Sequence, residues 1–119
     1  MDNTGFVFAT KIEAKPFIEG LGLKQIEKDP VSIYSNERLY LVIGGISKVN
    51  SAVAASYLIW EYDIKIIFNI GACGATTTDK NVGNIFHVDK VIEYDRPKLA
   101  TGGIRITMPD VFPQFSKAT

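Results

Sequence analysis

Chemistry in this chain could come from a few places. Glu13 is the acidic residue nearest the end of the first apolar run, Gly5–Phe6–Val7–Phe8–Ala9. A carboxylate at such a strand end can orient a water and take its proton. The same glutamate also fits a helix-capping box, Thr10–Lys11–Ile12–Glu13, in which it would reach back to the cap backbone. Pro16 weighs against that box. With Thr10 as the cap it would fall in the second turn, where it lacks an N–H and crowds the turn before. The expectation is therefore a helix beginning near Ile12 or Glu13, with Glu13 freer to face a crevice.

Two small-residue loops accompany it. Gly71–Ala72–Cys73–Gly74–Ala75 follows a buried apolar strand, and Gly44–Gly45–Ile46–Ser47–Lys48 joins another strand to a helix. Loops at the carboxyl ends of strands line the ligand crevice of an open α/β sheet, where exposed backbone N–H groups can hold a polar ligand. Tight strand–helix packing accounts for the first loop equally well, and a simple Ser47 cap for the second. Neither is a dinucleotide fingerprint or a phosphate-binding P-loop, because the glycine spacing and the Gly-Lys-Ser/Thr ending are absent. Cys73 reads as a small residue in a crowded loop more readily than as a nucleophile. His87, the single histidine, reads as a partly buried strand residue rather than a base. No Cys/His pattern suggests a metal site, and one cysteine cannot form an internal disulfide.

These residues need a scaffold. Strands are expected at Gly5–Ala9, Lys24–Glu27, Val31–Ser35, Arg38–Ile43 and Ile64–Ile70, with a tight turn at Asn36–Glu37. Asn84–Glu93 alternates and reads as one more strand, and in the loop-rich segment 97–119 only Gly103–Thr107 resembles a strand. A helix follows the first strand, carrying Ile12, Phe17, Ile18 and Leu21. A second begins about Ser47, with Val49, Val53, Ser56 and Trp60, flanked by Ala52 and Ile59, on one face, while Ser51, Ala52, Ala54 and Ala55 make it a small-residue helix that can pack closely on a sheet. Tyr57 and Trp60 are read as packing on the core or at an interface. The alternation of strands and helices makes this an α/β fold, in one partial domain over 1–119 whose core is 1–96. Its end on Phe112–Pro113–Gln114–Phe115, with no covering helix, suggests either a second polypeptide or a shortened chain.

The composition narrows the partners. Thirteen basic and thirteen acidic residues cancel over 119 residues, and no basic stripe invites nucleic acid or an anionic membrane. Neither a signal peptide nor an apolar stretch of about 20 residues is present, so a cytoplasmic protein is expected.

Four segments join up: Ala9–Ala14, Gly45–Ala52, Asn69–Ala75 and Val82–Ile85. In order and spacing they resemble the N-terminal half of the nucleoside phosphorylase and nucleosidase superfamily, especially methylthioadenosine/S-adenosylhomocysteine nucleosidase and futalosine hydrolase. The resemblance implies a three-layer α/β/α sandwich with a mixed central sheet. It implies cleavage of the N-glycosidic bond of a purine-type nucleoside by water, with no metal or organic cofactor. It places Glu13 as the water-activating glutamate. Ala9, Ile46, Ala72, Cys73 and Gly74 fall among the substrate-binding positions.

The departures are informative. Many relatives have serine where Ala72 stands, and phosphorylases carry a Gly-Asp-Pro-x-Arg segment after the first strand, where this chain has Ala9–Glu13. No arginine precedes Arg38, so hydrolysis is favoured over phosphorolysis. Ser47 replaces a usual glycine. The family's ribose-binding Met-Glu segment and its purine-protonating aspartate belong to the domain's second half, outside these 119 residues, so the chain alone is expected to be incomplete. The alternatives are an inactive nucleoside-binding or self-assembling module, and a phosphorylase. A homodimer, or association with a C-terminal half, is the expected partnership, and the segment around Met108–Pro113 looks like one lent to a neighbour's pocket.

Overall fold

The structure is a computed structural model that describes residues 2–93, 105–107 and 116–118. The chain divides into two units, Met1–Gly74 and Ala75–Thr119. The first contains β1 (Asn3–Phe8), α1 (Lys11–Gly20), β2 (Lys24–Glu27), β3 (Ser32–Asn36), β4 (Leu39–Ile43), α2 (Lys48–Tyr62) and β5 (Ile64–Asn69). Its five strands form one sheet in the order β2-β3-β4-β1-β5. β1 runs parallel to both β4 and β5, whereas β2–β3 and β3–β4 are antiparallel.

The sheet is mixed because its connections are. A crossover through α2 lets β5 lie parallel to β1, and a two-residue turn forces β4 antiparallel to β3. That turn is Glu37–Arg38 rather than Asn36–Glu37, with Glu37 at φ 54. Asn36 stays in the ladder opposite Leu39, and its side-chain amide donates to the Leu21 carbonyl at 3.1 Å.

Successive residues of the inner strands face opposite ways, and both faces are covered. Val7, Ile33 and Val42 pack with Ala54 and Leu58 of α2. Phe8, Tyr34 and Leu41 pack with Ala14 of α1, supported by Phe17 and Ile18. These are the three α/β/α layers, with the core divided by the sheet.

Both helices differ in detail from the sequence reading. α1 begins at Lys11 and is capped by Thr10, with Pro16 inside it. The ring removes the donor that would reach the Ile12 carbonyl, but Pro16 is exposed, and the Thr10 cap supplies an acceptor at the helix start. Ile12 points outward at 86% exposure. In α2 the larger apolar residues Val49, Val53, Ile59 and Trp60 are exposed, while Ala54, one of the small residues expected to pack closely, is buried together with Leu58. The approach is closest at Gly44, where a Cβ would lie 2.5 Å from the Ala54 Cβ.

In the second unit, β6 (Phe86–Val88) pairs in parallel with β9 (Ser116–Ala118), and β7 (Lys90–Ile92) pairs antiparallel with β8 (Arg105–Thr107). The single strand expected over Asn84–Glu93 is therefore two, parted at Asp89 and belonging to different ladders. Arg105–Thr107 agrees with the strand expected near there, and Ser116–Ala118 is a strand that the sequence did not suggest. Met108–Pro113 lies outside the described residues.

Candidate active site

β1, β4 and β5 all end on the same edge of the sheet, because they are parallel. The three loops that leave this edge are stitched together by backbone hydrogen bonds. Gly44 N–H donates to the Phe8 carbonyl at 2.9 Å, Gly45 N–H to Ala9 at 3.1 Å, and Ile70 N–H to Val7 at 3.1 Å. Ala9 thus sits between the β4 and β5 loops, at the centre of the edge.

Glu13 reaches into this edge from the first turn of α1. Its Oε2 accepts the Ala72 backbone N–H at 2.7 Å, and its Oε1 accepts the Thr10 hydroxyl at 3.0 Å. Thr10 Oγ1 in turn accepts the Glu13 N–H at 3.3 Å. Capping and crevice are therefore not alternatives: Thr10 caps α1, and the glutamate it caps also spans to a residue 59 positions away. The Ala72 amide is the main cause that holds the Glu13 carboxyl below its ordinary value of 4.5. The Thr10 hydroxyl comes next, burial opposes both, and the Thr10 amide adds least. The group is a carboxylate at neutral pH, with lone pairs left over on both oxygens.

The second loop has its own fastening. The Asn50 side-chain amide donates to the Ile46 carbonyl at 2.7 Å, and Asn50 N–H donates to Ser47 Oγ at 3.3 Å. Ser47 caps α2 at φ 109, a conformation that favours glycine.

Of the residues singled out from sequence, Glu13 and Ala72 are in direct contact, and Ala9 joins the β4 loop through its carbonyl. Ile46 presents its side chain to solvent at 72% exposure. Cys73 and Gly74 continue the Ala72 loop and are exposed. His87 belongs to the second unit, on β6. Sequence reasoning missed the Thr10 hydroxyl and Gly71, where a Cβ would come within 3.1 Å of Glu13 Oε2. The Thr-x-x-Glu spacing was the available signal for the first. Among the described residues no group of three His, Cys, Asp or Glu side chains gathers, and no helix is long and apolar enough to cross a membrane.

Comparison with known proteins agrees with this fold. The sequence model of the family described as "Phosphorylase superfamily" matches residues 9–117. An aminodeoxyfutalosine nucleosidase of Campylobacter jejuni is 30% identical over 69 residues, 58% of this chain and 30% of the relative. A 5'-methylthioadenosine/S-adenosylhomocysteine nucleosidase of Staphylococcus aureus is 33% identical over 70 residues, 59% of this chain and 31% of the relative. In fold the chain is similar to a mutant MTAN of Helicobacter pylori with 5'-methylthioadenosine in the active site. The TM-score is 0.81 at 14% identity, covering 92% of this chain and 54% of that one. The chain spans about a third of the two curated relatives' length.

Proposed function

The chain belongs to the phosphorylase superfamily, and from that premise we propose that it is the water-activating part of a purine-type nucleoside N-ribohydrolase. The substrate is a methylthioadenosine, S-adenosylhomocysteine or futalosine-like nucleoside, in keeping with the names of its relatives. The observation that carries the reading is the Glu13 carboxylate, held ionised at the sheet's carboxyl edge by the Ala72 amide.

Water's oxygen bonds to ribose C1' as the N-glycosidic bond breaks. The bonding pair leaves with the base, which takes up a proton, while Glu13 receives the proton from the water. Such a transition state carries positive charge on the sugar ring, which a nearby carboxylate stabilises. Ala9, Ile46, Ala72, Cys73 and Gly74 line the nucleoside's place, and the reaction needs no cofactor. The acid that protonates the base lies outside these 119 residues, in the second half of the same domain. We place the protein in the cytoplasm as a homodimer or joined to that second half. The exposed Val49, Val53 and Trp60 of α2 supply an apolar surface for such a partner.

The test is release of free adenine from methylthioadenosine, or of the free base from aminodeoxyfutalosine, by the purified chain. Turnover that falls by about a hundred- to ten-thousandfold in Glu13→Gln supports the reading, this being the usual worth of a general base. Turnover unchanged by Glu13→Gln, in the chain alone or joined to a second half that supplies the acid, overturns it.

A further inference from the structure

The geometry points to Thr10 as a positioning residue for Glu13: one hydroxyl both starts α1 and fixes how the carboxylate is presented at the crevice. This rests on the reading of Glu13 as the water-activating group.

A threonine hydroxyl has one proton and two acceptor sites. In Thr10 an acceptor site takes the Glu13 N–H at 3.3 Å, so the cap consumes a lone pair and leaves the proton. An ionised carboxylate only accepts, so the 3.0 Å contact to Oε1 must use that proton. The other oxygen, Oε2, is held at 2.7 Å by the Ala72 amide. The two donors come from different segments, the β1–α1 junction and the β5 loop. Rotating the carboxylate about its last bond would break both contacts, so two donors from separate segments resist that rotation together. Gly71 leaves room for this arrangement, since any side chain there would come within 3.1 Å of Oε2. No charged side chain is among the causes of the lowered Glu13 value; hydrogen bonds lower it against the opposing effect of burial. The hydroxyl's donation is therefore separable from the field around it.

Separation requires a variant that caps without donating. Glycine is nearly as good a cap as threonine and has no hydroxyl, while serine has both functions. The readout is the titration of the Glu13 side-chain carboxyl by NMR in the 119-residue chain, assigned by its loss in Glu13→Gln. Thr10→Ser should titrate where the parent does. Thr10→Gly should keep the helical circular dichroism of the parent and titrate at higher pH. Thr10→Val removes the hydroxyl at constant shape and must move the titration in the same direction, so the outcome does not depend on the glycine variant folding. In base-release assays the two hydroxyl-free variants should lower kcat with little change in KM, with Thr10→Ser restoring it. Parent-like titration in both hydroxyl-free variants overturns the proposal and leaves Thr10 a helix cap only. An upward shift in both, alongside turnover that Glu13→Gln does not reduce, instead confirms the clamp and refutes the catalytic reading of Glu13.

Discussion

Gly44→Ala is the sharpest test of how α2 is seated on the sheet. The added Cβ would lie 2.5 Å from the Ala54 Cβ and 3.3 Å from the Asn50 carbonyl oxygen. Carbon atoms rest at about 3.5–4.0 Å, so the first contact is short by roughly 1 Å. Neither methyl has a rotamer to change, and Ala54 is fully buried, so relief requires the helix to move. Overpacking of this kind costs about 1–3 kcal/mol, and a clash between two backbone-anchored atoms belongs at about 3 kcal/mol, the top of that range. With a urea m-value of about 2 kcal/mol/M the unfolding midpoint should fall by roughly 1.5 M.

A second variant turns the magnitude into a proof of cause. Ala54→Gly alone should cost about 1 kcal/mol in helix propensity and about 0.8 kcal/mol for the lost buried methyl. Combined with Gly44→Ala it vacates the space the new methyl needs, so the double variant should be more stable than Gly44→Ala alone. Urea titrations of the four proteins, followed by far-ultraviolet circular dichroism, give the coupling energy. A Gly44→Ala loss below about 0.5 kcal/mol, or simple additivity in the cycle, would refute the close seating of α2.

Ser47→Gly should be neutral to stabilising. It relieves a φ of 109, a strain of about 1–3 kcal/mol, and forfeits only a few tenths of cap preference; thermal melts check this. Tyr57 and Tyr62 both donate to the Glu27 carboxylate. That bond, with burial behind it, pushes Tyr57 up to about 12, while burial first and the Glu27 carboxylate second push Tyr62 up. These native values exceed the unfolded one, so the stabilisation is complete below pH 10 and is lost as pH rises through the native values. Tyrosinate absorbance should show two late phenols that both move down in Glu27→Gln, Tyr62 staying raised by its burial. Glu13 has the opposite sign: its stabilisation is present above pH 4.5 and is lost as pH falls through its lowered native value. The stability gap between parent and Glu13→Gln should therefore close in acid. Trp60→Glu, at an 87% exposed site, should leave monomer stability within about 0.5 kcal/mol while weakening self-association in sedimentation equilibrium. Unchanged association would remove α2 as the docking surface.

The inner strands were legible because they are apolar runs, and the glycines that follow β4 and β5 mark the crevice edge. The close seating of α2 was legible in its small residues, Ala54 among them, but not the outward turn of its larger ones: Val49, Val53 and Trp60 are exposed while Leu58 is buried. The split falls where alternation breaks, at the polar pair Asp89–Lys90, but a break in alternation does not by itself report a change of partner. Pro16 misled in a third way. Its helix penalty was set against the Thr10 cap and taken as the larger, whereas α1 keeps both the cap and Pro16.

That last error bears on chemistry. The hydrogen bonds that fix Glu13 also lower its proton affinity, so a better-held carboxylate is a weaker base. For a water that must lose its proton early this would be a defect. In glycosidic cleavage the departing base leaves an oxocarbenium-like sugar, which draws the water in and acidifies it as the bond forms. A weak, rigid, negatively charged acceptor suits that order of events, since orientation and charge matter before proton transfer does. On the proposed reading of Glu13, the Thr10–Ala72 clamp trades base strength for position, and the trade is sound only for a late proton transfer. A kcat that follows the ionisation of Glu13 in acid, with a small solvent isotope effect, is the signature expected of it. A large isotope effect with unchanged acid dependence would place proton transfer in the rate-limiting step and refute the late-transfer argument.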